Sequence, residues 1–181
     1  MSKHPSVQAM WEDYLAIAGE DPRTTHKTYI SWHFELNEAA AEKLVDLVLA
    51  GQKRGTASCL WALEYDGDAL PRPGDYSIVT GWDGTARCII QTTGVDVVPY
   101  QDVTADFALQ EGEGDGSLAY WQRVHIPFYE AECQRIGREF TPDMPVVCEA
   151  FRVVYPPEVA DGPENGLFGR RPVPDEELGN Q

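Results

Sequence analysis

The chain has 181 residues, 43 % of them hydrophobic, which suits a single domain with a real core. Fourteen Lys and Arg stand against thirty Asp and Glu, a formal charge of −16 that repels polyanions and excludes extended, non-specific DNA or RNA binding. The N-terminus has no apolar leader and no stretch is long and apolar enough to span a bilayer, so the expectation is a cytoplasmic protein without membrane contact.

In chain order, the spacing of Val7, Trp11, Tyr14, Leu15 and Ala18 predicts a helix over 6–18, capped by Ser6 and stopped at Gly19. A strand is expected at 29–34 and a second helix at 38–50. Asn37 fits its N-cap and Ala41, Leu44, Val45 and Val48 form its apolar stripe. Gly51-Gln-Lys-Arg-Gly-Thr56 follows, leading into a strand expected over 57–63. Leu70-Pro-Arg-Pro-Gly-Asp75 reads as a turn launching a strand at 76–80, and Asp83-Gly84 as a hairpin. Two strands, 86–93 and 95–100, are expected around Gly94. A short helix or turn at 103–108 and an irregular, glycine-rich Glu111-Gly-Glu-Gly-Asp115 come next. Helical spacing then runs over 117–136 through Leu118, Trp121, His125, Phe128 and Ile136, with a kink or split expected at Pro127. The last strand is 146–155. The organisation expected is an N-terminal helical extension (1–28), a central domain (29–156) and a mobile Pro/Gly-rich tail (157–181). Short sequential strands with hairpin signals give an α+β fold: a small, mostly antiparallel β-barrel with peripheral helices.

Gly51-x-Lys53-x-x-Thr56 resembles the G-x-K-x-x-T signature of ASCH (activating signal cointegrator homology) domains. Further features recur in the same order. They are Leu70–Asp75, Ile89-Ile-Gln-Thr-Thr-Gly-Val-Asp-Val-Val-Pro99, Glu111–Asp115 before Ser117-Leu-Ala-Tyr-Trp121, and the closing Phe151-Arg-Val-Val-Tyr-Pro156. The six-residue motif is weak by itself; the ordered set, spanning about 30–156, is specific. The resemblance implies a PUA-like β-barrel with a cleft for RNA or a nucleoside-like ligand. One shorter branch of the family is similar to an amidohydrolase that removes the acetyl group of N4-acetylcytidine. Its catalytic lysine, threonine and glutamate match Lys53, Thr56 and, through an Ala-x-Gln-Glu pattern, Glu111. Another branch is linked to metal-dependent cleavage of single-stranded RNA. This chain departs from the short branch by its N-terminal helix, longer helical insertion and tail.

The residues carry this chemistry in their own terms. A lysine desolvated in a cleft has a lowered pKa and can take a proton from the Thr56 hydroxyl, making a nucleophile toward an amide carbonyl. Glu111 can then pass a proton to the leaving amine. The same groups also make a plain binding site: Lys53 for a carbonyl or phosphate oxygen, Glu111 for an exocyclic amine. Arg54 is the best local candidate for phosphate contact, Trp61 for stacking on a base from the same strand, and Glu113 for a further ligand contact. Plainer roles stand beside each: a solvated helix-end lysine, a strand-starting threonine, and an acidic loop capping the next helix. His125 reads as a satisfied, partly buried histidine, and the four cysteines as reduced and structural. Glu111, Glu113 and Asp115 lie close enough in sequence to hold Mg²⁺, but no histidine pair or further carboxylate motif supports it, so no metal or cofactor is expected. Three functions follow: recognition of a nucleoside-like small molecule or short RNA, with or without amide hydrolysis; an RNA-binding regulator or metal-dependent ribonuclease; and a non-catalytic protein-interaction module.

Overall fold

Residues 4–34 and 37–162 are described by the structure, a computed structural model. Within them the chain forms α1 (Pro5–Ile17), β1 (Tyr29–Trp32), α2 (Glu38–Leu49), β2 (Gly55–Cys59), α3 (Leu60–Asp66), β3 (Tyr76–Thr80) and β4 (Ala86–Pro99). A 3₁₀ turn at Tyr100–Asp102, α4 (Ala105–Glu111), α5 (Leu118–Arg135) and β5 (Pro145–Tyr155) complete it. The strands form one mixed sheet in the order β1-β3-β4-β5-β2. Only β1–β3 is parallel. No ladder joins the end strands β1 and β2 among the described residues, so the sheet is open where a closed barrel was expected. The α+β class stands; closure is missing because β1 is only four residues long and β2 gives way to a helix after five.

Alternation along β5 distributes the core. Val146 and Cys148 join the cluster made with α3, α4 and α5, around Trp121, Tyr129, Cys133 and Met144. Phe151 and Val153 point the other way, into the cluster built on the α2 stripe of Leu44, Val45 and Val48. The α1 face Val7, Trp11 and Leu15 packs on Ile78, Ala86 and Ile89. The His4 side chain, rather than Ser6, caps α1, and the Ser6 hydroxyl accepts from Ala86 N at 2.9 Å. Asn37 caps α2 as its sequence implies.

Three local expectations are corrected. The strand expected over 57–63 ends at Cys59; Leu60–Asp66 is helical. The two strands around Gly94 are one, β4, with its register shifted between Thr92 and Gly94. Pro127 does not split α5, which runs on as one helix. Pro127 and Arg123, whose carbonyl loses its partner, are both exposed, so water can satisfy that group. Of the tail expected to be mobile, residues 163–181 lie outside the described residues, whereas 157–162 fold back along β5, where Asp161 N donates to Val153 O.

Candidate functional site

The Lys53 loop is fixed from three sides. The Gln52 and Lys53 amides both donate to Leu47 O at the end of α2 (2.9 and 3.0 Å). Arg54 N donates to Gln110 O in α4, and Phe151 N of β5 donates to Arg54 O. Gln52 Nε2 reaches Gly112 O at 2.8 Å. Gly112 ends α4 in the left-handed region (φ 66°), where a Cβ would overlap the Gln52 carbonyl. Glu111, expected in an irregular loop, is therefore the last residue of α4, and its side chain turns inward.

Lys53 and Glu111 are both 1 % exposed. Lys53 Nζ donates to Glu111 Oε2 at 2.7 Å and to Glu113 Oε1 at 2.6 Å. The other Glu111 oxygen accepts from Trp121 Nε1 at 2.7 Å, and His125 Nε2 stands 3.7 Å from it. His125 stacks on Trp121 (centroids 4.1 Å, 18°). Its Nδ1 lies 2.9 Å from Trp121 O, and a carbonyl only accepts, so Nδ1 carries a proton. On the remaining side, Lys53 Nζ is 5.3 Å from the centre of the Phe34 ring. Glu113, 14 % exposed, and His125, 12 % exposed, are the members of the network that reach the surface.

These contacts decide the charge state. For Lys53 desolvation is the largest effect and pulls its pKa down, but attraction and hydrogen bonds to Glu111 and Glu113 together outweigh it, and the pKa is raised. For Glu111 desolvation pushes upward, and Lys53, His125 and Trp121 override it, so its pKa is lowered. Lys53 is thus a firmly charged ammonium, not the pKa-lowered base expected of a desolvated lysine. Burial was anticipated; two carboxylates on one nitrogen were not.

The structure brings Lys53, Glu111 and Glu113 together. Thr56 stands apart from them. It lies on β2 opposite Glu149, and its neighbour Gly55 is the residue facing Glu111: a Cβ there would lie 3.4 Å from Glu111 Cγ. Successive strand residues point to opposite faces, so Thr56 faces away from Glu111. Among the described residues its hydroxyl makes no hydrogen bond. Arg54, the candidate phosphate contact, forms a forked pair with Asp161 (2.7 and 2.8 Å) and donates to the Val48 and Lys53 carbonyls. Trp61 is on α3, not β2; it packs at the edge of the α5 cluster under the Arg138 guanidinium, 4.6 Å away. Arg87 is paired with Glu42 and Asp46 on α2. Asp115 accepts from Ser117 at the start of α5. All four cysteines are free and buried. Among the described residues no group of three or more His, Cys, Asp or Glu side chains is arranged to hold a metal ion. Two shallow, open surface recesses lie elsewhere, one lined by Glu130, Gln134, Arg138 and Phe140, the other by Glu20, Lys27, Asp75 and Tyr76. In sequence Trp121 and His125 show only their shared helix face, four residues apart; their approach to Glu111 depends on how α5 packs on α4.

This chain thus has an open mixed sheet between helices, with a glycine-bounded loop sealing a lysine against the end of a short helix. The ASCH domain model matches residues 30–155, and the chain belongs to that family. It is similar to the ASCH domain from Lactobacillus crispatus JV V101, at 37 % identity and a TM-score of 0.77, covering 86 % of this chain and 98 % of that one. It is also similar to a structure of an Enterococcus faecalis V583 protein, at 28 % identity and a TM-score of 0.72, covering 82 % of this chain and 87 % of the other. No curated protein matches the chain. Among the described residues no helix is long and apolar enough to cross a membrane.

Proposed function

We propose that this ASCH domain recognises a small, uncharged, nucleoside-like ligand through the Lys53–Glu111–Glu113 site. The observation that carries the reading is the double pairing of Lys53. One ammonium faces two carboxylates, so the site is net negative before any ligand arrives. A phosphate would have to displace a buried carboxylate from Lys53, and the neighbouring Arg54 is already neutralised by Asp161. A nucleobase with an exocyclic amine or amide N–H meets no such penalty: the carboxylate at the rim, Glu113, accepts its hydrogen bond. With the −16 net charge, this favours a small ligand over a phosphodiester chain.

A hydrolytic form of the same reading consumes one water and splits an N4-acyl amide into a carboxylic acid and the free amine. It requires Lys53 first to surrender its proton, for which Glu113 at 2.6 Å is the nearest reachable acceptor, and Thr56 to be brought to the carbonyl.

The test is calorimetric titration of the full chain with cytidine, N4-acetylcytidine and a short single-stranded RNA, with chromatographic assay for deacetylation. Binding of a nucleoside that weakens in Glu113→Gln supports the proposal. Loss of turnover in a folded Thr56→Ala variant supports its hydrolytic form. RNA binding that falls steeply with salt, or no binding at all, sinks it in favour of an RNA-binding or protein-interaction role.

A further inference from the structure

We infer that Glu149, which faces Thr56 across the sheet, is a further ligand-binding residue, and that its free carboxyl oxygen takes an N–H of the ligand beside the Thr56 hydroxyl. This rests on the nucleoside-like reading above and adds a second polar wall to it. In the antiparallel β2–β5 pair, Thr56 is directly opposite Glu149, so both side chains project from the same face of the sheet. The next pair, Gly55 and Ala150, serves the other face, toward Glu111. The signature threonine and the buried glutamate therefore look to opposite sides of β2, and the carboxyl that Thr56 shares a face with is Glu149.

Glu149 is half satisfied. The Thr92 hydroxyl donates to its Oε1 at 2.6 Å, and among the described residues Oε2 has no hydrogen-bond partner. That oxygen is not sealed: the sole fully enclosed side-chain polar atom without a partner among the described residues is the Tyr129 hydroxyl. The surroundings are largely apolar. Val147 and Phe151, two residues away on the same face, are 1 % and 3 % exposed. Desolvation accordingly pushes the Glu149 carboxyl above the usual range, with the Thr92 bond easing the shift and Asp75 adding to it. A carboxyl held in such a place with one oxygen unused gains from any donor that reaches it. The face is open farther along, where Val97, opposite Val147, is 44 % exposed.

Two features join this strip to the Lys53 network. Phe151 packs in one cluster with Phe34, and the Lys53 ammonium stands over the Phe34 ring. A hydroxyl and an unused carboxyl oxygen side by side on one face, backed by the sealed Phe151, suit a flat heterocycle that presents a donor, such as the amine edge of a cytosine.

The experiment compares cytidine and uridine binding by calorimetry in the full chain, in Glu149→Gln and in Glu113→Gln. In Glu149→Gln the amide oxygen can keep the Thr92 bond while the amide N–H₂ takes the free position, so an acceptor becomes a donor. The change also removes a carboxyl whose ionisation burial disfavours, so the variant should fold, which a thermal melt verifies. The expected result is cytidine affinity at least about tenfold weaker, with uridine, which offers a carbonyl at the same edge, unchanged or tighter. A cytidine-to-uridine ratio equal to that of the unmodified chain overturns the inference. If cytidine still binds and Glu113→Gln weakens it, only the role of Glu149 fails. If the unmodified chain binds neither nucleoside, both readings fail together.

Discussion

At Lys53, an ammonium sealed to 1 % exposure is tolerated because two carboxylates meet it within 2.7 Å. Removing one side of such a pair leaves a buried charge without compensation, which costs about 3–5 kcal/mol. Lys53→Ala should therefore lose about that much in urea denaturation, since it strands Glu111 beside Trp121 and His125. The double variant Lys53→Met with Glu111→Gln should recover most of the loss. It removes both charges, keeps the volume, and leaves a side-chain amide oxygen to accept from Trp121 Nε1. A double variant no more stable than Lys53→Ala would show that the cost lies in packing rather than in charge. The pair itself was legible in the sequence because lysine and glutamate sit in a recognisable ordered pattern. Its protonation state was not, since that is set by Glu113 turning back onto the same nitrogen. Glu149 was hidden too, because its relation to Thr56 is a matter of strand register and leaves no local trace in the chain.

Among the elements, α4 matters most, because its final residue is Glu111 and its cap touches the loop carrying Lys53. Gly112→Ala should impose the left-handed backbone cost, about 1–2 kcal/mol, and in addition drive a methyl into the Gln52 carbonyl. Gly67, which caps α3 at φ 75° with nothing within 4 Å of a Cβ, supplies the comparison. Gly67→Ala should show the backbone cost alone. Thermal unfolding of the two variants measures the difference, and equal losses would mean that the Gln52–Gly112 approach can relax freely. With the cap of α1 at His4 rather than the expected Ser6, the helices α1 and α2 could still be read from the sequence because each has an apolar stripe, and α2 its Asn37 cap as well. The change from β2 to α3 could not. Cys59-Leu-Trp-Ala-Leu is a short apolar run, as suitable for a buried strand as for a buried helix, and within α3 only Ala62 is sealed by the packing that decides between them. Sheet closure was equally hidden, since it depends on where β1 and β2 stop, and that is fixed by tertiary contacts rather than by propensity.

For the whole molecule, thirty acidic residues make acidification the revealing perturbation. Glu111 has a lowered pKa in the folded chain, so its contribution to stability is present above its unfolded value, about 4.3, and is lost as pH falls through the folded value. Lys53 has a raised pKa, so its contribution is present below its unfolded value, about 10.4, and disappears only at strongly alkaline pH. Between these limits the pair is intact and the stability it supplies is flat. Glu149 works with the opposite sign to Glu111: its raised pKa means that ionising it on the way to neutrality costs stability. Protonating carboxylates also relieves the self-repulsion of a −16 chain, so acid weakens one part of the protein while easing strain across the rest. Urea denaturation at a series of pH values separates the two. The unmodified chain should lose stability as pH falls below about 4.3, where the unfolded chain takes up a proton that folded Glu111 refuses, until the lowered folded value is passed. The Lys53→Met/Glu111→Gln variant, which has no buried pair to lose, should show a shallower decline or none over the same range. Parallel acid limbs in the two proteins would place the loss in exposed pairs such as Asp66–Arg135 and Asp21–Arg23 instead of in the sealed centre.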